Sequence, residues 1–265
     1  MRWNSSSWPF LLGIYAALTV ITVAYLALGL SFQLWLVILY PLVGFGFCLV
    51  HAVDRLGLQR ALLFLGLTLV VSLLFETLGV ATGWIYGGYY YVENRLGPLF
   101  LGLVPYVIPL TWFMVLYPSY VIADRCAPLH WSGKPRWLGV AALGGLAMTA
   151  WDLALDPLMV RRGNWVWEKP GAYFGVPLQN YLGWWLTAFT ILLLYQGLSR
   201  NLAQHEAPVA TRFDRLAVLC YLITGLGTAG EAWLQGLSGP ALISGSAVLF
   251  FFFLGWRERR EMVTP

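Results

Sequence analysis

Residues 137–157, WLGVAALGGLAMTAWDLALDP, form one apolar run with two aspartates, Asp152 and Asp156, near its end. About 20 such residues suffice to cross a bilayer as a helix. A carboxylate at membrane depth is costly, so the run that decides the fold also asks what its two acids are for. Working outward, the same apolar texture recurs along the whole chain. The sequence has 265 residues, 59% of them hydrophobic and 11% charged, with a mean hydropathy of +0.70. A soluble globular domain carries roughly 25% charged residues. The reading is an all-α, polytopic transmembrane bundle, a single transmembrane domain over 1–265.

Eight spans are predicted, at 9–30, 33–51, 60–80, 99–122, 137–156, 180–199, 215–237 and 239–256. The last two are joined by a very short turn at Ser238-Gly239-Pro240, which predicts a tight helical hairpin. The first run, Trp8 to Leu30, ends near an Ala27-Leu28-Gly29 that resembles a signal-peptidase site. Secretory h-regions span only about 7–15 apolar residues, so this run reads as a retained first helix.

Net charge is +4, with the basic residues in loops that flank helices rather than in a phosphate-binding stripe. That pattern sets membrane orientation and speaks against nucleic acid as a partner. With the N-terminus in the cytoplasm, the even loops and both termini hold twelve Lys and Arg against four outside (Arg95, Arg161, Arg162, Lys169). Both termini are therefore expected on the cytoplasmic side of the cytoplasmic membrane. Helices three, five and seven then run outward, and Glu76, Asp152, Asp156 and Glu231 each lie within about two turns of an outer end. Four carboxylates from three helices are expected at one depth.

Two longer outer loops, GVATGWIYGGYYYVENRLGP (79–98) and RRGNWVWEKPGAYFGVPLQNY (161–181), are crowded with glycine, tryptophan and tyrosine. An aromatic belt at the membrane interface is the plainer explanation. The sharper one is a pair of re-entrant caps that close an apolar cavity over the acids, because irregular backbone at depth is tolerated only where protein or a cavity surrounds it.

Each polar signal has a plain competitor. Asp152 and Asp156 are one turn apart and share a helix face, but Asp156, before Pro157, can simply end its helix at the interface. Glu76 precedes Gly79 and Gly83, a small-xxx-small spacing that lets helices approach, so it can be a structural hydrogen-bond partner. Glu231 can snorkel to the interface. GLGTAG (225–230) matches GxGxxG but follows no strand, so close helix packing explains it better. Cys48, Cys126 and Cys220 show neither metal spacing nor a disulfide framework and read as small packing residues. The two lysines, Lys134 and Lys169, lie in loops, which leaves no Schiff-base candidate. His51, His130 and His205 fall away from the acids, so a metal site would have to be built from carboxylates alone, and none is predicted. The Asp-x-x-x-Asp spacing resembles that of membrane prenyltransferases, but those need a second acidic cluster and cations for a diphosphate.

Four pieces, ETLGVATGWIYGGYYY from Glu76, GLVPYVIPLTWFMVLYPSY from Gly102, TAWDLALDPLMV from Thr149 and WVWEKPGAYFGVPLQNYLGWW from Trp165, together resemble the integral-membrane carotenoid hydratases. This is the CruF-type family, which includes carotenoid 1,2-hydratases and the bisanhydrobacterioruberin hydratase of haloarchaea. The resemblance covers roughly residues 70–190, in one order. It implies addition of water across the terminal double bond of an acyclic carotenoid end (lycopene, γ-carotene or C50 type), without a redox cofactor. It also implies a lipophilic substrate held at the bilayer, with other membrane enzymes of carotenoid synthesis as potential partners.

The chemistry gives the acids a use. Hydrating a trisubstituted alkene needs a proton on the less substituted carbon, then water at the resulting tertiary cation. Burial and a neighbouring carboxylate both favour the protonated form of a carboxyl, so two acids on one face can divide into donor and ionised partner. Asp152, the deeper, is expected as general acid, with Asp156 or Glu76 as the base that orients water and Glu231 as a further candidate. Aromatic faces stabilise a cation; Trp84, Tyr86, Tyr89, Trp165, Trp167, Tyr173 and Phe174 are the candidates, and Gln179 and Asn180 can hold the water. A carotenoid cyclase starts from the same protonation and stays open as an alternative. A proton-coupled lipophile transporter is a more distant one, since no internal repeat is visible.

Overall fold

The computed structural model describes residues 7–30, 34–128, 130–202 and 211–257. The charges Arg2, Arg259 and Arg260 and the histidine His205, used above, lie outside them. Among the described residues there are eight helices, each long and apolar enough to cross a membrane. They are α1 Ser7–Ala27, α2 Leu34–Leu56, α3 Leu58–Thr82, α4 Val107–Cys126, α5 Gly133–Arg161, α6 Leu178–Ser199, α7 Thr211–Leu234 and α8 Ser238–Trp256. In lipid every backbone group must be satisfied within its segment, which is why apolar runs of this length become helices.

The helix α4 is the centre of the bundle, with 78% of its span buried against 28% for α1. Glycines set the close approaches around it. A Cβ on Gly144 of α5 would collide with the Leu192 side chain of α6. The GLGTAG glycines pack as helix contacts: Gly225 against Val248 of α8 and Gly227 against Thr19 of α1.

Three prolines sit inside helices, Pro41, Pro118 and Pro157, and at the last two the freed carbonyl finds a substitute donor. Pro157 has no N–H for Leu153, and the Tyr173 hydroxyl donates to Leu153 O at 3.1 Å instead. Pro118 in α4 leaves Met114 O, which accepts from the Cys48 thiol at 3.2 Å. A proline normally ends or kinks a helix at the preceding residue. With its carbonyl satisfied, α5 instead continues to Arg161, and the expected end at 156 is corrected accordingly. Cys48 is likewise more than packing.

Two further boundaries move. The fourth span starts at Val107 rather than 99, because Leu99–Phe100 (β2) and Val104–Pro105 (β3) form a tight antiparallel hairpin. Leu101 and Gly102 hold positive φ angles of 51° and 71° at its turn. The second helix continues past 51 to Leu56, which puts His51 inside it; His51 is fully buried, bonded to Tyr117 Oη at 2.6 Å and to Phe213 O at 3.0 Å.

The aromatic loops also gain regular structure. Tyr89–Tyr91 (β1) pairs antiparallel with Trp165–Trp167 (β4), Tyr89 opposite Trp167 and Tyr91 opposite Trp165. Strand side chains alternate between faces, so Tyr89, Tyr91, Trp165 and Trp167 turn inward while Tyr90 faces out. This ribbon packs on α3 and α5.

Candidate active site

Beneath the ribbon lies a cavity of about 530 Å³. Its wall is mostly aromatic and aliphatic, and three of the four expected carboxylates, Glu76, Asp156 and Glu231, reach it.

Glu76, on α3, is held by three donors. Tyr91 Oη donates to Oε2 at 3.0 Å, Trp112 Nε1 donates to Oε1 at 3.1 Å, and Tyr89 Oη donates to Oε2 in a short bond. Burial, and then the nearby Glu76 charge, push the Tyr89 and Tyr91 phenols well above their ordinary value, so both remain donors. The small-xxx-small expectation is corrected here. Gly79 makes room for a ring rather than a helix, since a Cβ there would meet Tyr86 at 2.5 Å. Gly183 of α6 does the same from the other side, at 2.6 Å, so Tyr86 is clamped between two glycines. Gly83 ends α3 in the left-handed conformation at φ 72°.

Asp152 and Asp156 share one amide. Asn180 Nδ2 donates to Asp152 Oδ2 at 3.2 Å and to Asp156 Oδ2 in a shorter bond. Asp156 and Asn180 line the cavity, whereas Asp152 is fully buried behind them and does not. The side chain expected to meet a substrate first is thus the second in line. Glu231 is in an ion pair with Arg162 at 2.7 Å.

The aromatic candidates divide. Tyr86, Tyr89, Trp165 and Trp167 line the cavity, and Trp167 Nε1 also ties the ribbon down through Tyr86 O at 3.0 Å. Trp84 and Phe174 do not line it; they are 83% and 48% exposed. Gln179 faces outward, its amide donating to Gly83 O at 3.2 Å and Trp84 O at 2.6 Å, and so fixes the end of α3. Tyr173 is the donor that repairs α5, with burial and the Asp152 charge raising its phenol to about 12.

Several wall residues were not expected. Trp112 and Trp184 stack at 4.3 Å between centroids, Trp151 meets Trp184 edge-on at 5.9 Å, and Trp151 Nε1 donates to Thr228 Oγ1 at 2.8 Å. Tyr91 is the residue that alternation along YYY would have picked beside Tyr89. For Trp112 and Trp184 the sequence holds only a ring inside an apolar helix, which is no signal of direction. Among the described residues no group of three or more His, Cys, Asp or Glu could hold a metal ion.

A family model described as "Carotenoid biosynthesis protein" matches residues 35–251. The bisanhydrobacterioruberin hydratase of Haloarcula japonica is 36% identical over 200 residues, which is 70% of this chain and 63% of that protein. The chain thus spans less than two thirds of that relative's length. No solved structure matches.

Proposed function

Since the chain belongs to the carotenoid biosynthesis protein family, we propose that it adds water across the terminal double bond of an acyclic carotenoid end to give a tertiary alcohol. One observation carries this reading: an ionisable pair on α5 and a donor-saturated carboxylate on α3 both approach a single apolar cavity.

Two like charges packed together in a water-poor site cannot both stay ionised cheaply, so the Asp152–Asp156 pair is suited to carry one proton. Asp156, which reaches the cavity, delivers it: its O–H bond breaks as a C–H bond forms on the less substituted alkene carbon. The tertiary cation sits among Trp112, Trp184, Trp165 and Tyr91, whose ring faces attract positive charge. Glu76, held as an acceptor by three donors, takes a proton from the water as its oxygen bonds to the cation. Asn180 holds the acid pair in place. Neither step changes oxidation state, so no redox cofactor is required. Most of a long polyene stays in the bilayer and only its end enters. With both termini cytoplasmic, the ribbon faces outward, and other membrane enzymes of the same synthesis are natural neighbours.

Cyclisation is a second reading, favoured by the mostly apolar wall, since a ring forms from the same cation when water is excluded. Co-expression with enzymes that make acyclic-ended carotenoids, followed by mass spectrometry of the pigment, separates the two. A gain of one water per end is expected. Unchanged mass with altered retention would mean cyclisation. Full activity in Asp156→Asn and Glu76→Gln proteins present at normal levels would sink the scheme.

A further inference from the structure

Asp152 poses a question that contact with the substrate does not answer. It is fully buried and off the cavity wall; its carboxyl is hydrogen-bonded to that of Asp156, and beyond that contact its Oδ1 has no partner among the described residues. A second buried side-chain atom nearby is in the same condition, the hydroxyl of Tyr181. Tyr181 follows Asn180 on α6, interacts electrostatically with both Asp152 and Asp156, and is also absent from the cavity wall. Its ring meets Tyr173 edge-on at 5.3 Å, beneath the turn in which Gly171 pairs with Gly175.

Buried polar atoms are nearly always satisfied, by protein or by water. A hydroxyl and a carboxyl oxygen, both buried without partners and on side chains that interact electrostatically, are the kind of groups that a buried water bridges. Neither residue lines the cavity.

We propose that Asp152 Oδ1 and the Tyr181 hydroxyl hold a water molecule that reloads the Asp152–Asp156 pair with a proton after each turnover, through residues that do not line the substrate cavity. The inference rests on the protonation step proposed above and gives the second aspartate a role. The balance closes. Asp156 loses its proton to carbon, and Glu76 gains one from the attacking water and releases it to solvent. The bound water passes a proton to Asp152, which shares it with Asp156, and solvent replaces the proton that the bound water gave up. Tyr181 is a positioning residue in this scheme.

Tyr181→Phe removes one oxygen and tests the route. With enzyme in excess, the first turnover should proceed as in the wild type. In steady state, product per enzyme should fall by at least about tenfold, less than the roughly 10²–10⁴-fold of a direct proton-transfer group because Tyr181 only positions the water. Tyr181→His, which restores a polar atom, should recover part of the loss. Steady-state turnover equal to wild type would overturn the proposal, and so would a first turnover slowed in parallel with later ones. Product is counted whether alcohol or ring, so failure of hydration is told apart from failure of the relay. The absence of either product in the wild type would overturn both. If the Phe variant is poorly made, Tyr181→Leu, which also removes the hydroxyl, is measured in the same way. A normal first turnover with slowed later ones is expected, and later turnovers as fast as in the wild type would overturn the proposal.

Discussion

The two ends of the bundle use the same residue type in opposite ways. Under the ribbon, Glu76, Asp152 and Asp156 meet neutral donors: phenols, an indole and an amide. At the other end, Asp124 meets Arg55 at 2.8 Å and Arg136 at 2.5 Å, and Asp214 meets Arg55 at 2.7 Å and Arg125 at 3.5 Å. A guanidinium cancels a carboxylate's charge and fixes it as a fastener between helices. A neutral donor orients the carboxyl without cancelling it, so the group stays free to take or give a proton. Glu231, paired with Arg162, follows the fastening pattern although it lies at the capped end. The partner of an acid, more than its depth, separates chemistry from architecture here.

That contrast breaks if the wrong end proves essential to the reaction. Asp156→Asn should cost the most activity, roughly 10²–10⁴-fold, the range for losing a general acid, with protein still present in the membrane; pigment mass spectrometry reads it. Arg55→Ala should act on the fold instead. Arg136 still faces Asp124 and Arg125 still faces Asp214, so the loss should stay below the ~3–5 kcal/mol of a fully unpaired buried charge, and a thermal unfolding assay in detergent would register it. Product per folded molecule should be unchanged, and a selective loss of activity would erase the distinction between the ends. Trp112→Phe keeps the ring stacked on Trp184 but deletes the N–H donated to Glu76. It should lower activity by about tenfold, since an orphaned buried acceptor costs about 1–3 kcal/mol. The smallest effect is expected from Trp84→Ala: this ring is 83% exposed, and turnover should not change. A marked drop there would mean that the outer face of the ribbon, and not only its inner face, meets the substrate.

The membrane class, the number of helices and the gathering of carboxylates toward one end were legible in the sequence, because run length and charge are properties of single segments. A backbone in lipid has no choice but to bond to itself, so an apolar run of sufficient length declares a helix without help from its neighbours. The resemblance to carotenoid hydratases rested on contiguous pieces and was equally local. What stayed hidden depended on partners distant in the chain. Tyr91 and Trp165 turn inward, and Tyr90 outward, only because β1 finds β4. Tyr86 is placed by two glycines on different helices. The helix α5 outruns Pro157 because Tyr173 supplies the missing donor. Asp152 and Asp156 share a face at their spacing, yet which one reaches the cavity depends on how α5 turns against α6, where Asn180 takes hold of both. Helix periodicity gives relative angles between side chains and no absolute direction; that direction comes from what the helix packs against.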